Sequence, residues 1–103
     1  MNPTIDDIEA LRRDSLTRLL LADGRTWLDL ARAEAVKAGA ELGEVVTECH
    51  RPSPTRARHA TWLALREQGL SYSKIGRGWG CHHTTVMDGV KVASAPRHAG
   101  VVL

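Results

Sequence analysis

The sequence predicts a small all-α domain that contains a helix-turn-helix. Three observations lead there. Apolar residues recur at i, i+3, i+4 and i+7 between clear cap and stop signals, and no stretch alternates apolar and polar residues as a half-buried strand would. The 103 residues fit one domain, and 43% hydrophobic residues with no Phe leave Leu, Val, Ile and Ala to build most of its core. Residues 70–90 read as two short helices joined by a tight Gly-containing turn, the second opening on polar side chains.

Thr4 with Asp7 is a capping pair that opens the first helix. Ile5, Ile8, Leu11, Leu16, Leu19 and Leu20 give it an apolar stripe, and Asp23-Gly24 ends it. This segment, residues 1–24, is amphipathic and acidic, suited to packing on the rest of the chain or to meeting a protein partner or a second copy. Thr26 with Asp29 opens the second helix, which carries Trp27, Leu28, Leu30, Ala31, Ala33, Ala35 and Val36 and stops at Gly39. A short third helix over 41–48 buries Leu42, Val45 and Val46, with Gly43 weakening it.

Cys49-His50-Arg51-Pro52-Ser53-Pro54 reads as a loop, because Pro52 disfavours a helical Arg51. Ser53 as N-cap and Pro54 at the first helical position then open the fourth helix. It bears Arg56, Arg58 and Arg66, with Trp62, Leu63 and Leu65 as core candidates, and Gly69 ends it. Ser71 caps the next short helix, whose apolar residue is Ile75. Gly78-Trp79-Gly80 is expected to form the turn, since glycine loses the most backbone entropy in a helix interior. Val86, Val90 and Ala93 set the inner face of the last helix. Residues 25–94 are the expected domain and 95–103 a loose tail.

Charge is unevenly spread. Residues 1–48 hold 6 Lys/Arg and 10 Asp/Glu, a balance of −4, while residues 49–103 hold 8 and 2, a balance of +6; together they give the net +2. All 5 histidines also fall in the second half. A polyanion would meet that half, with the acidic half turned away. The expected partner is double-stranded DNA, gripped at its phosphates by Arg51, Arg56, Lys74, Arg77 and Lys91, with hydroxyls from Ser71 and Thr85. In a helix-turn-helix the front of the second helix reaches base edges in the major groove. Here the reading residues would be His82, His83 and Thr84, whose ring nitrogens, hydroxyl and methyl all suit base edges.

Ser71-x-x-x-Ile75-Gly76 followed by Gly80-x-x-His83-Thr84-Thr85-Val86 resembles the C-terminal DNA-binding domain of the bacterial replication initiator DnaA. Arg56-Ala57-Arg58-His59 leading into Trp62-Leu63-Ala64-Leu65-Arg66-Glu67 is similar to that family's long central helix, and residues 36–46 to its first two helices. The resemblance covers roughly residues 30–93. It implies a DnaA C-terminal, Trp-repressor-like fold and sequence-specific DNA binding by a transcriptional or replication regulator. It also implies major-groove contacts from His83 and Thr84, a backbone contact from Thr85 and a minor-groove arginine at Arg58. The family usually places Arg-Asp before His-Thr-Thr, where this chain has Cys81-His82. An Asp accepts from a cytosine amino group, whereas His82 can donate to a purine N7. The sequence contains no Gly-x-x-x-x-Gly-Lys-Ser/Thr loop, so a DNA reader is expected and not ATP-driven origin melting.

Other classes compete on fewer residues. Cys49-His50 and Cys81-His82-His83 offer zinc-type ligands, but without Cys-x-x-Cys or His-x-x-x-His spacing, so no metal or other cofactor is expected. Cys81 beside His82 suggests a nucleophile pair, yet adjacent helical residues point in different directions, so an enzyme is not expected. The alternative function is a protein–protein adaptor, or a small zinc-binding protein without DNA readout. No apolar run approaches the ~20 residues that span a bilayer, and the start lacks signal-peptide character. A reducing cytoplasm, at the nucleoid, is the expected location.

Overall fold

The computed structural model describes residues 4–47 and 50–95. Six helices follow in order: α1 (Ile5–Arg18), α2 (Trp27–Ala38), α3 (Leu42–Val46), α4 (Pro52–Glu67), α5 (Tyr72–Trp79) and α6 (His83–Ser94). Among the described residues there is no strand, and no helix is long and apolar enough to cross a membrane. Cys49 and residues 96–103, the core of the expected tail, lie outside the described residues.

Helix starts follow local chemistry closely. Thr4 and Asp7, and Thr26 and Asp29, form reciprocal capping boxes, each threonine oxygen accepting an N–H while each aspartate returns the bond. Those bonds hold both carboxyls below the usual carboxylate range, the backbone bond leading. Ser71 Oγ accepts from Lys74 N at 3.1 Å and starts α5. Helix ends are less local. α1 stops at Arg18, not at Asp23-Gly24: Leu19 turns extended, and residues 19–26 fold back through a bridge between Leu20 and Thr26. The expected stripe is therefore broken. Leu16 is fully buried, but Leu11 and Leu20 are 69% and 66% exposed. α4 begins at Pro52, two residues before the expected start, with Arg51 as its cap residue. Both prolines fit because the first N–H groups of a helix have no intrahelical partner anyway.

α4 is the axis of the fold. It packs most extensively against α2 and α6, and less extensively against α3 and α5. α1 lies across α2, α3 and α5. Trp27, Leu16, Val45, Val46, Leu65, Ile75 and Val86 are completely enclosed. Trp62 and Trp79 meet edge to face with centroids 6.0 Å apart, a geometry that aligns the ring quadrupoles. Trp79 also donates its indole N–H to Val45 O at 3.4 Å, tying α5 to α3.

Two glycines are sites of close approach. A Cβ on Gly89 would lie 2.5 Å from Trp62 Cε3 and 2.7 Å from His59 Cδ2, both in rings that cannot yield. A Cβ on Gly43 would meet only the end of the Glu9 side chain, which can swing away. Overpacking costs about 1–3 kcal/mol, and Gly-to-Ala in a helix recovers about 1 kcal/mol. Gly89→Ala should therefore lower stability by about 1 kcal/mol, while Gly43→Ala should raise it by about 0.5 kcal/mol, as read by urea unfolding. Equal effects at the two positions would contradict the packing of α6 on α4.

Candidate nucleic-acid interface

The turn between α5 and α6 lies two residues later than expected. Gly78 and Trp79 belong to α5, and Gly80-Cys81-His82 make the connection. Gly78 is used for its size, since a Cβ there would sit 2.5 Å from the Trp27 ring. Gly80 closes α5 with φ of 74°, left-handed backbone that other residues adopt at a cost. The Gly76 carbonyl takes the Gly80 and Cys81 N–H groups, the latter at 2.9 Å. A Cβ on Gly76 would fall 2.6 Å from Cys81 O, so only glycine lets the turn lie down on α5.

His82 is the N-cap of α6. Its Nδ1 accepts the Thr84 backbone N–H at 3.3 Å and lies 2.8 Å from Thr84 Oγ1. A ring nitrogen that accepts carries no hydrogen, so the Nε2–H of neutral His82 is the group free to donate outward. The His82 and His83 rings lie 4.3 Å apart. His82, His83, Thr84 and Thr85 are all exposed at the front of α6.

Along α6, Val86, Gly89 and Val90 are buried against α4 and α5. Thr84, Asp88 and Lys91, at i, i+4 and i+7, share the opposite, exposed face with Met87 beside them. Asp88 and Met87 are not among the residues expected to matter from residue type. The helical repeat counted forward from Thr84 would have found them. Thr85 sits on the flank of the helix, at the edge of a cleft.

Apart from Arg12, Arg58 and Arg66, the cations of the described residues fall in two groups. Arg13, Arg18, Arg25, Arg32, Lys37 and Arg51 each pair with a carboxylate. Arg56, Lys74, Arg77 and Lys91 are exposed and, among the described residues, have no carboxylate partner. Lys74 and Arg77 lie one turn apart on α5 and Lys91 on α6. The Ser71 hydroxyl, having accepted from Lys74 N, keeps its own hydrogen to donate. Arg51 is less ready. Its guanidinium holds Glu44 with both carboxylate oxygens, at 2.9 and 3.1 Å, and a phosphate would have to displace that pair. Exposed pairs of this kind are worth about 0–1 kcal/mol, so the exchange is feasible but not free.

Arg58 is a correction. It is 8% exposed, and its Nε and one terminal nitrogen donate to Val45 O at 2.8 Å and Glu44 O at 2.6 Å. The guanidinium thus satisfies the carbonyls that end α3, where the helix dipole also favours a cation. It is committed to the interior of the fold and cannot also enter a minor groove without releasing them. The sequence held the signal: positions 58, 62 and 65 lie on one face, the face that carries Trp62 and Leu65 into the core. Next to it, burial lowers the His59 pKa, and the Arg58 charge acts in the same direction.

The cleft beside Thr85, about 750 Å³, opens between α1, α4 and the Gly80–His82 turn. Two buried donors there, Arg12 Nε and Trp62 Nε1, have no hydrogen-bond partner. Among the described residues, no three His, Cys, Asp or Glu side chains gather as a metal site. Cys49 of the zinc alternative is not among those residues. No protein-family model, curated protein or solved structure matches the chain.

Proposed function

We propose that the chain is a sequence-specific double-stranded DNA-binding protein, a DnaA-domain-like regulator of transcription or replication. In this reading α5, the three-residue turn and α6 act as a helix-turn-helix. The observation that carries it is the division of the cations: the acidic half pairs all of its own but Arg12 with carboxylates, while Arg56, Lys74, Arg77 and Lys91 on α4, α5 and α6 stay open to phosphates. The exposed polar face of α6 lies among them, and its His83-Thr84-Thr85 carries the DnaA resemblance. His82 Nε2–H would donate to a purine N7, and the Thr84 methyl would pack on a thymine methyl. Asp88 has only acceptors, so a cytosine amino group is its fitting partner on that face. Arg58 has no part in the interface. A protein acting this way works in the cytoplasm, at the nucleoid.

Selection from random duplexes should yield one preferred site. His83→Ala with Thr84→Ala should then lower the ratio of specific to non-specific affinity about tenfold, since each base contact is worth at most about 1–3 kcal/mol. Non-specific affinity, set by phosphates, should barely move. An unchanged ratio would place the reading residues elsewhere.

A further inference from the structure

We infer that the cleft between α1, α4 and the Gly80–His82 turn binds a small organic anion, a carboxylate on an apolar body. The site lies beside the proposed duplex face: it opens on the flank of α6 that carries Thr85 and not on the face that carries Thr84, Asp88 and Lys91, and it shares only His82 and Thr85 with the duplex contacts. Its volume, about 750 Å³, falls in the range of sites that enclose small molecules.

The lining has one chemical character. Ile8, Val46 and the Trp62 and Trp79 rings supply apolar walls. The polar lining comes from Arg12, Arg58, His50, His82, Thr47, Thr85 and Cys81, and among the described residues no carboxylate lines the cleft. Arg12, with no carboxylate opposing it among the described lining residues, favours an anion. The guanidinium of Arg58 is turned to the α3 carbonyls and supplies field more than contact. Arg12 is the contact residue. It lies over Gly80, with Cζ 2.6 Å from where a Cβ would stand, and so reaches the cleft only because that turn residue has no side chain.

The second observation is Trp62. It is 3% exposed, and its indole N–H has no acceptor. Its benzo edge, Cε3 and Cζ3, faces Gly89 of α6. The N–H therefore lies on the ring's other edge, away from α6. A buried donor without an acceptor is rare in native proteins and calls for an acceptor atom. A carboxylate supplies two oxygens, one for Arg12 and one for the indole, while its apolar body lies against Val46 and Trp79.

The test is calorimetric titration of the full chain with 1-naphthoate, with 1-naphthalenemethanol as its uncharged counterpart. Naphthoate should bind at a single site, and the alcohol about tenfold more weakly. Arg12→Gln should weaken naphthoate about tenfold, and Arg32→Gln, which removes an exposed cation on α2, should leave it unchanged. Trp62→Phe keeps the ring, removes the donor and should also weaken binding. If Arg12→Gln fails to fold, the wild-type chain decides: the Trp62 indole N–H resonance should move on naphthoate addition while that of Trp79, already bonded to Val45, moves less. Absence of binding at millimolar naphthoate, equal affinity for the alcohol, equal weakening in Arg12→Gln and Arg32→Gln, or a stationary Trp62 resonance would each overturn the assignment.

Discussion

Lys74→Ala, Arg77→Ala and Lys91→Ala combined should lower affinity for any duplex about a hundredfold at moderate salt and flatten the log–log salt slope by about 3. The magnitude follows from counterion release, at about 0.9 in slope for each phosphate no longer neutralised. All three side chains are exposed and lack carboxylate partners among the described residues, so their removal leaves no buried group stranded. Stability should stay within about 0.5 kcal/mol per site, as for ordinary surface changes. The control is Arg13→Ala, Arg18→Ala and Arg32→Ala, which removes as much charge from the acidic half, at three arginines that already have a carboxylate. Fluorescence anisotropy at several salt concentrations reads both. If the control matches the triple variant, duplex binding is a matter of net charge and not of a surface.

Gly76→Ala should be the most disruptive single-methyl change in the chain. The added Cβ would meet the Cys81 carbonyl oxygen at 2.6 Å and His83 N at 3.4 Å, and both are backbone. No side chain can swing aside, so the turn must lift from α5 and the 2.9 Å bond from Cys81 N to Gly76 O must lengthen or break. Overpacking at about 1–3 kcal/mol and a broken hydrogen bond at about 1 kcal/mol outweigh the roughly 1 kcal/mol that alanine gains in a helix. A net destabilisation of about 2 kcal/mol should lower Tm by about 10 °C in a domain of this size. Duplex affinity should fall as well, because the same turn sets the angle at which α6 leaves α5. A thermal scan with Tm unchanged would mean that the turn has slack the packing does not show.

What the sequence made legible was local chemistry. Both capping boxes, the Ser71 cap, the Gly39 stop and the inner face of α6 follow from neighbours three or four residues apart, and each stands where the spacing predicts. What it hid was decided by contacts across the chain. α1 ends early because Leu20 bridges to Thr26. Gly78 stays helical because Trp27 needs the space, although its composition reads as a turn. Arg58 looks like surface charge by residue type, and only its place beside Trp62 and Leu65 on the α4 face betrays its interior partners. Arg12 reads simply as part of an acidic helix. Nothing within a few residues of it reveals that it lies over Gly80, sixty-eight positions later. For the proposed interface, residue types and the α6 periodicity were readable. Most of the neutralised cations were readable too, since their carboxylates lie two to four residues away, but the pairing of Arg51 with Glu44 was not, because it joins separate elements.

In the proposed mode of action, the exposed face of α6 and the unpaired cations around it act as one duplex-binding surface. Amide chemical-shift mapping of the full chain during titration with the selected duplex tests that most directly. The shifts should gather at residues 82–91, with Lys74, Arg77 and Arg56 at their edge, and fade as salt is raised. Shifts confined to α1 and α2, or none at low salt, would contradict it.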